Sequence, residues 1–166
     1  MAAATAAIVA LVALTGGPGT PTVADAAVLA SRPALAPVPP HHDDSVTLSA
    51  PRAARLPYPY WEDHFGFAAV GVRRDKLDAR LATTVFYKHA NQQIAYTIIS
   101  GPPLATGSTA QTATRAGTRL RTFTSHGRTV VTWLRRGHTC VLSATRTSLT
   151  TLLALASWRG GGGIPY

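Results

Sequence analysis

The sequence predicts an α+β domain: an antiparallel β-meander of about six strands, with a short N-terminal and a longer C-terminal helix packed on one face. Three observations point that way. First, residues 128–144, RTVVTWLRRGHTCVLSA, read as two strands joined by a tight turn. Thr129, Val130, Val131, Thr132 and Trp133 are β-branched or aromatic and suit a pleated, half-buried surface. Arg135-Arg136-Gly137 supplies a glycine where the turn needs a positive φ. The return strand then alternates, with Cys140, Leu142 and Ala144 on one face and Thr139, Val141 and Ser143 on the other. Second, LATTVFYK at 81–88 and QIAYTIIS at 93–100 are two further strand-like runs, separated by the polar turn His89-Ala90-Asn91-Gln92. Third, Leu149, Leu152, Leu153 and Ala156 follow the i, i+3, i+4, i+7 spacing of a one-faced helix over 148–158, which needs a sheet to cover.

Taken in order, the chain begins with AAATAAIVALVALT at 2–15, an uncharged apolar run of 14 residues. That falls short of the roughly 20 residues that span a bilayer. It reads as the second half of a transmembrane helix whose first half is missing, as a signal-peptide core with an A-x-A-like site at Ala24-Asp25-Ala26, or as an Ala-rich tail. The first two readings place everything after about residue 16 outside the cytoplasm, tethered by a single pass or secreted. Residues 16–57 read as a Pro-rich disordered linker, since 9 of the 12 prolines fall within residues 1–59.

The folded domain is expected over 58–159, with a flexible tail at 160–166. It opens on YPYWEDHFGF: Pro59 suits a helix start, Gly66 a helix stop, and Trp61 and Phe65 share a face. Strands are expected at 67–73, 81–88, 93–100 and 118–124, ahead of the hairpin. Arg74-Asp75-Lys76 is expected as a charged turn and the Thr- and Gly-rich stretch 106–116 as a mobile loop.

The formal net charge is +9, carried by 14 Arg and 2 Lys. A basic domain suits an anionic polymer, anionic lipid or nucleic acid. The arginines are scattered near turns with no nucleic-acid motif, so no direct nucleic-acid partner is expected. The single cysteine excludes an internal disulfide and a multi-cysteine zinc site.

Candidate chemistry is sparse. His138 and Cys140 are two apart on one strand face, the spacing of an activated thiol, yet a lone Cys in a strand is more often a small buried hydrophobe. His64, His126 and His138 are candidate proton sensors. Glu62 and Asp63 are adjacent on a short helix and point in different directions, which suits favourable charge near its start better than paired acid–base work. His41-His42-Asp43-Asp44 in the linker reads as a solvated tether rather than a metal site. With no G-x-S-x-G, Walker A, G-x-G-x-x-G or H-E-x-x-H motif, no enzyme is expected. No catalytic, cofactor-binding or metal residue is assigned, and no cofactor.

The runs YWEDHFGF, TVFY and IAYTIISGPPL over 60–104, continued by TVVTWLRRGHTCVLSA and LLALASW, resemble the extracytoplasmic domain of membrane-anchored anti-sigma-factor-like proteins of high-GC Gram-positive bacteria. The resemblance covers 58–158. It implies a non-enzymatic sensor or interaction domain that regulates transcription indirectly, with the membrane engaged through residues 2–15 and an envelope ligand or regulatory protein as partner. Such proteins carry a sigma-binding domain ahead of the membrane helix, often with a His-x-x-x-Cys-x-x-Cys zinc motif. That motif is absent here, so a sigma factor is a partner only if a further N-terminal domain exists. Two alternatives stay open: a secreted basic module for an anionic envelope polymer, and a thiol redox-responsive domain.

Overall fold

The computed structural model describes residues 19–41 and 45–160. The fold is mostly β. Seven antiparallel strands form one sheet in the order β3-β4-β5-β9-β8-β7-β6, and a separate two-stranded sheet pairs β1 with β2. The large sheet is two meanders joined edge to edge. β3 (Ala68–Leu77), β4 (Arg80–His89) and β5 (Gln92–Ile99) form the first. The chain then crosses to the far edge, where β6 (Gln111–Arg115), β7 (Thr118–Ser125), β8 (Arg128–Arg135) and β9 (His138–Ala144) run back until β9 pairs with β5.

The expected hairpin is present in register, with Trp133 opposite Cys140 and Val131 opposite Leu142. Two local expectations differ. Arg74, Asp75 and Lys76 lie within β3, and the turn comes two residues later at Asp78. Asp75 is held there by Arg73 at 2.8 Å and Arg32 at 3.0 Å, which gives its charge a partner inside a strand. The stretch 106–116 is not wholly a loop, because its second half is β6, which makes the large sheet seven strands rather than about six. Gln111 to Arg115 alternates without bulky apolar residues, and it gains its pairing from β7 rather than from burial.

The larger correction concerns the expected linker 16–57, whose described residues, 19–41 and 45–57, are not a free tether. Val23–Leu29 forms helix α1, started by a capping box in which Thr22 and Asp25 bond each other's backbone N–H groups. Val23, Ala26, Ala27 and Leu29 are buried against Ala82, Ile99, Leu104, Val130 and Val141. The A-x-A-like site therefore lies inside a docked helix. β1 (Thr47–Ala53) and β2 (Leu56–Pro59) pair despite their prolines, because Pro51 sits in the irregular stretch between Thr47 and Arg52 and the pair has open edges. Leu48, Leu56 and Tyr58 from this pair enter the main core.

The expected N- and C-terminal helices share one face, through Trp61, Phe65, Leu152 and Leu155, and the unexpected α1 covers the other. Cys140, Leu142, Tyr96, Ile98, Val85 and Tyr87 face β1–β2 and helix α3 (Leu149–Ser157). Val141, Ile99 and Ala82 face α1. The strands announce this: in β4 and β5 both parities are apolar, as in strands buried on two sides.

α3 begins on Ser148, whose side chain accepts from the Thr151 N–H. Its buried stripe is Leu152, Leu155 and Ala156, while Leu149 is 40 % exposed. The stripe thus sits one position round from the expected one. Leu155→Ala should lose about 2–5 kcal/mol in denaturant titration and Leu149→Ala less than about 0.5. Equal losses would refute this orientation. The short helix α2 (Glu62–Phe65) ends at Gly66, whose φ is 74°. A Cβ there would lie 2.5 Å from His89 Nδ1, so both conformation and space require glycine.

Among the described residues no helix is long and apolar enough to cross a membrane, and the apolar run 2–15 and the tail 161–166 lie outside them.

Candidate functional site

Where β2 leaves the small sheet, Tyr60 is fixed by its N–H bond to the Val46 carbonyl at 2.9 Å. α2 follows at once and presents Glu62, Asp63 and His64 beside it. The end of α3 brings Trp158 to the same place, where its ring stacks on His64 at 5.9 Å and meets Phe65 edge-on. From the Pro-rich segment, His41 stacks flat on Tyr60, with ring centroids 3.5 Å apart and planes within 9°. His41, Ser45, Val46, Tyr60, Asp63, His64 and Trp158 together line a cleft of about 490 Å³, a size that suits a small ligand.

Glu62 and Asp63 are both exposed in the first turn of α2, the expected place for charge near a helix start. The Tyr60 hydroxyl lies 3.4 Å from Glu62 Oε2 and 3.3 Å from Asp63 Oδ1, so its one proton is shared between the two carboxylates. Partial burial and the two neighbouring acids raise the Tyr60 phenol and keep it a donor at neutral pH. The cleft offers flat aromatic faces beside carboxylate acceptors, a combination that fits a cationic or hydroxyl-rich ligand. Among the described residues no three His, Cys, Asp or Glu side chains stand close enough to hold a metal ion. Of the tetrad at 41–44, His41 is part of the cleft wall, and 42–44 lie outside the described residues.

The other candidates are dispersed. Cys140 is fully buried and its hydrogen-bond partner is Tyr96, whose hydroxyl lies 3.4 Å from Sγ. Arg135, also buried, donates to that hydroxyl at 3.3 Å and to the Pro57 carbonyl at 2.9 Å. Burial pushes the Cys140 thiol up to about 12, so it stays protonated and weakly nucleophilic, as a core residue does. His138 sits half-buried at the start of β9, opposite Arg135. His126 occupies a turn at φ 49° with Nδ1 2.9 Å from Ser125 Oγ. His64 alone of the three histidines reaches the cleft.

His41, Tyr60 and Trp158 as cleft walls escape sequence reading, because they come from segments far apart in the chain. The one available signal was the aromatic and acidic density of YPYWEDHFGF. No family model matches the chain, and neither any curated protein nor any solved structure matches it.

Proposed function

We propose that this chain is the extracytoplasmic sensor or interaction domain of a membrane-anchored anti-sigma-factor-like protein, regulating transcription by binding rather than by catalysing a reaction. The observation that carries the mechanism is the composition of the cleft. His41, Ser45 and Val46 come from the Pro-rich segment, and Tyr60, Asp63, His64 and Trp158 come from the body. A ligand held between them ties that segment to the body. The same segment carries α1, which lies on the opposite face of the sheet and leads back toward residues 2–15. In this reading occupancy favours a docked segment, and vacancy favours release of α1 and exposure of its backbone to protease. The resemblance of residues 58–158 supplies the transcriptional context.

Ala26→Asp tests the reading, because it places a carboxylate in the fully buried seam between α1 and the sheet. Thermolysin should then cut within residues 23–35 at least about tenfold faster, while the large sheet retains its circular dichroism. In cells carrying the variant in the full chain, transcripts under the cognate sigma factor should shift severalfold. Faster cleavage with an unchanged transcriptome would refute the regulatory reading.

A further inference from the structure

The two edges of the seven-stranded sheet are finished differently. The β3 edge is covered. Leu35 and Ala36 donate to the Val72 carbonyl at 3.0 and 3.2 Å, and the Val72 N–H returns a bond to Ala36 at 2.8 Å. Gly71 permits this approach, since a Cβ there would lie 2.5 Å from the Ala34 methyl. At the β6 edge no described residue makes a comparable main-chain pairing, and four of the five β6 residues are exposed.

The β6–β7 hairpin closes on Ala116-Gly117, with Arg115 opposite Thr118, Ala113 opposite Leu120 and Gln111 opposite Thr122. Those pairs exchange main-chain bonds, so the alternation of an antiparallel ladder turns the N–H and C=O of Thr112 and Thr114 outward. β7 also runs on to Ser125, past the start of β6, and the same alternation turns the main chain of Thr124 outward there. At this step lies a shallow pocket of about 300 Å³ lined by Thr109, Gln111, Phe123, Thr124 and the exposed Leu149 among others. The edge therefore offers a row of main-chain groups ending in a side-chain pocket.

Its charge is one-signed. Residues 79–166 contain no Asp or Glu, and this hairpin alone carries Arg115, Arg119 and Arg121. Arg121 and Arg119 lie opposite Thr112 and Thr114 and share their face. Arg121 Nη2 donates to the Gly107 carbonyl at 3.3 Å, while its Nε is buried without a partner among the described residues. A second copy would bring the same three arginines to the seam and meet like charge.

We propose that the β6 edge accepts an extended acidic peptide segment of a partner protein as an added strand. Its main chain bonds Thr112 and Thr114, its carboxylates reach Arg119 and Arg121, and one apolar side chain enters the pocket beside Leu149. Strand addition takes affinity from the main chain and selectivity from alternate side chains, which is what this edge presents. The cleft at Tyr60 plays no part in it.

The test titrates the full chain with a capped peptide of alternating Glu and Val, following amide hydrogen exchange by NMR. Exchange at Thr112, Thr114 and Thr124 should slow at least about tenfold, and Arg119→Ser with Arg121→Ser should weaken binding about tenfold. Thr114→Pro removes an outward N–H without removing a β7 bond and should abolish binding, as should N-methylation of alternate peptide residues. Should Thr114→Pro unfold the hairpin, the N-methylated peptide gives the same answer on the unaltered chain. No protection at millimolar peptide overturns the proposal. So does polyphosphate displacing the peptide while binding Thr114→Pro equally well, which marks a polymer surface. A peptide-free dimer that Thr114→Pro dissolves also overturns it, by assigning the edge to a second copy.

Discussion

Raising the pH above about 10 should unfold this domain steeply, with a slope approaching 5 kcal/mol per pH unit. Four buried acids set the slope. Tyr58, Tyr87 and Tyr96 are raised well above the usual phenol value of 10.0, chiefly by burial, and Cys140 is raised from 9.0 to about 12 for the same reason. The folded state therefore holds four protons that the unfolded chain releases. A raised folded value gives stability that is fully present below the unfolded value and is lost as pH climbs toward the folded one. The loss thus begins near pH 9 with the cysteine and steepens past 10 as the three phenols join. Against a total stability of about 5–15 kcal/mol, one to three pH units suffice. The check is a guanidinium titration repeated from pH 8 to 11.5, with phenolate absorbance recorded alongside. The three buried tyrosines should ionise only as the fold is lost. Early, independent ionisation of all five tyrosines would contradict the packing of the Tyr58–Tyr96–Cys140 core.

Trp61→Ala should cost about 3–5 kcal/mol, the largest loss expected from a single apolar truncation here. Trp61 is 1 % exposed although it belongs to the loop that enters α2. Its ring lies 4.6 Å from Tyr87 and 5.8 Å from Tyr96, which seats the start of the cleft on the sheet. Its indole Nε1 is buried without a partner among the described residues. Trp61→Phe keeps most of the contact and removes that orphaned donor, so it should cost under about 1.5 kcal/mol. Chemical denaturation of both variants checks the pair. A Phe variant as damaged as the Ala variant would mean that the indole N–H has a partner and matters more than the ring.

Much of the body was readable because its signals are local. The hairpin 128–144 announces itself through β-branched residues on either side of a glycine turn, and the Gly66 stop through the helix it ends. What was missed depends on distant partners. β6 has no apolar face of its own and exists because β7 lies beside it. The Pro-rich segment misled for a different reason. Proline density argues against long elements, yet α1 spans only seven residues between Thr22 and Ala30. The T-x-x-D spacing of Thr22 and Asp25 ahead of Ala26, Ala27 and Leu29 was a legible start signal. The second buried face of β4 and β5 was legible too, since Phe86, Ala95 and Ile99 fall on the parity opposite to Tyr87, Tyr96 and Ile98. The cleft was not, because stacking of His41 on Tyr60 depends on how the chain returns, which no spacing encodes.

The seat of α1 has a consequence for biogenesis. Its most extensive contacts outside its own helix are with β9, a strand that leaves the ribosome more than a hundred residues after it. Nothing made earlier supplies that half of its bed. During synthesis and any export α1 must wait, at best half covered, until β9 has emerged, so closing it over the finished sheet is a late step that reports completion of the sheet.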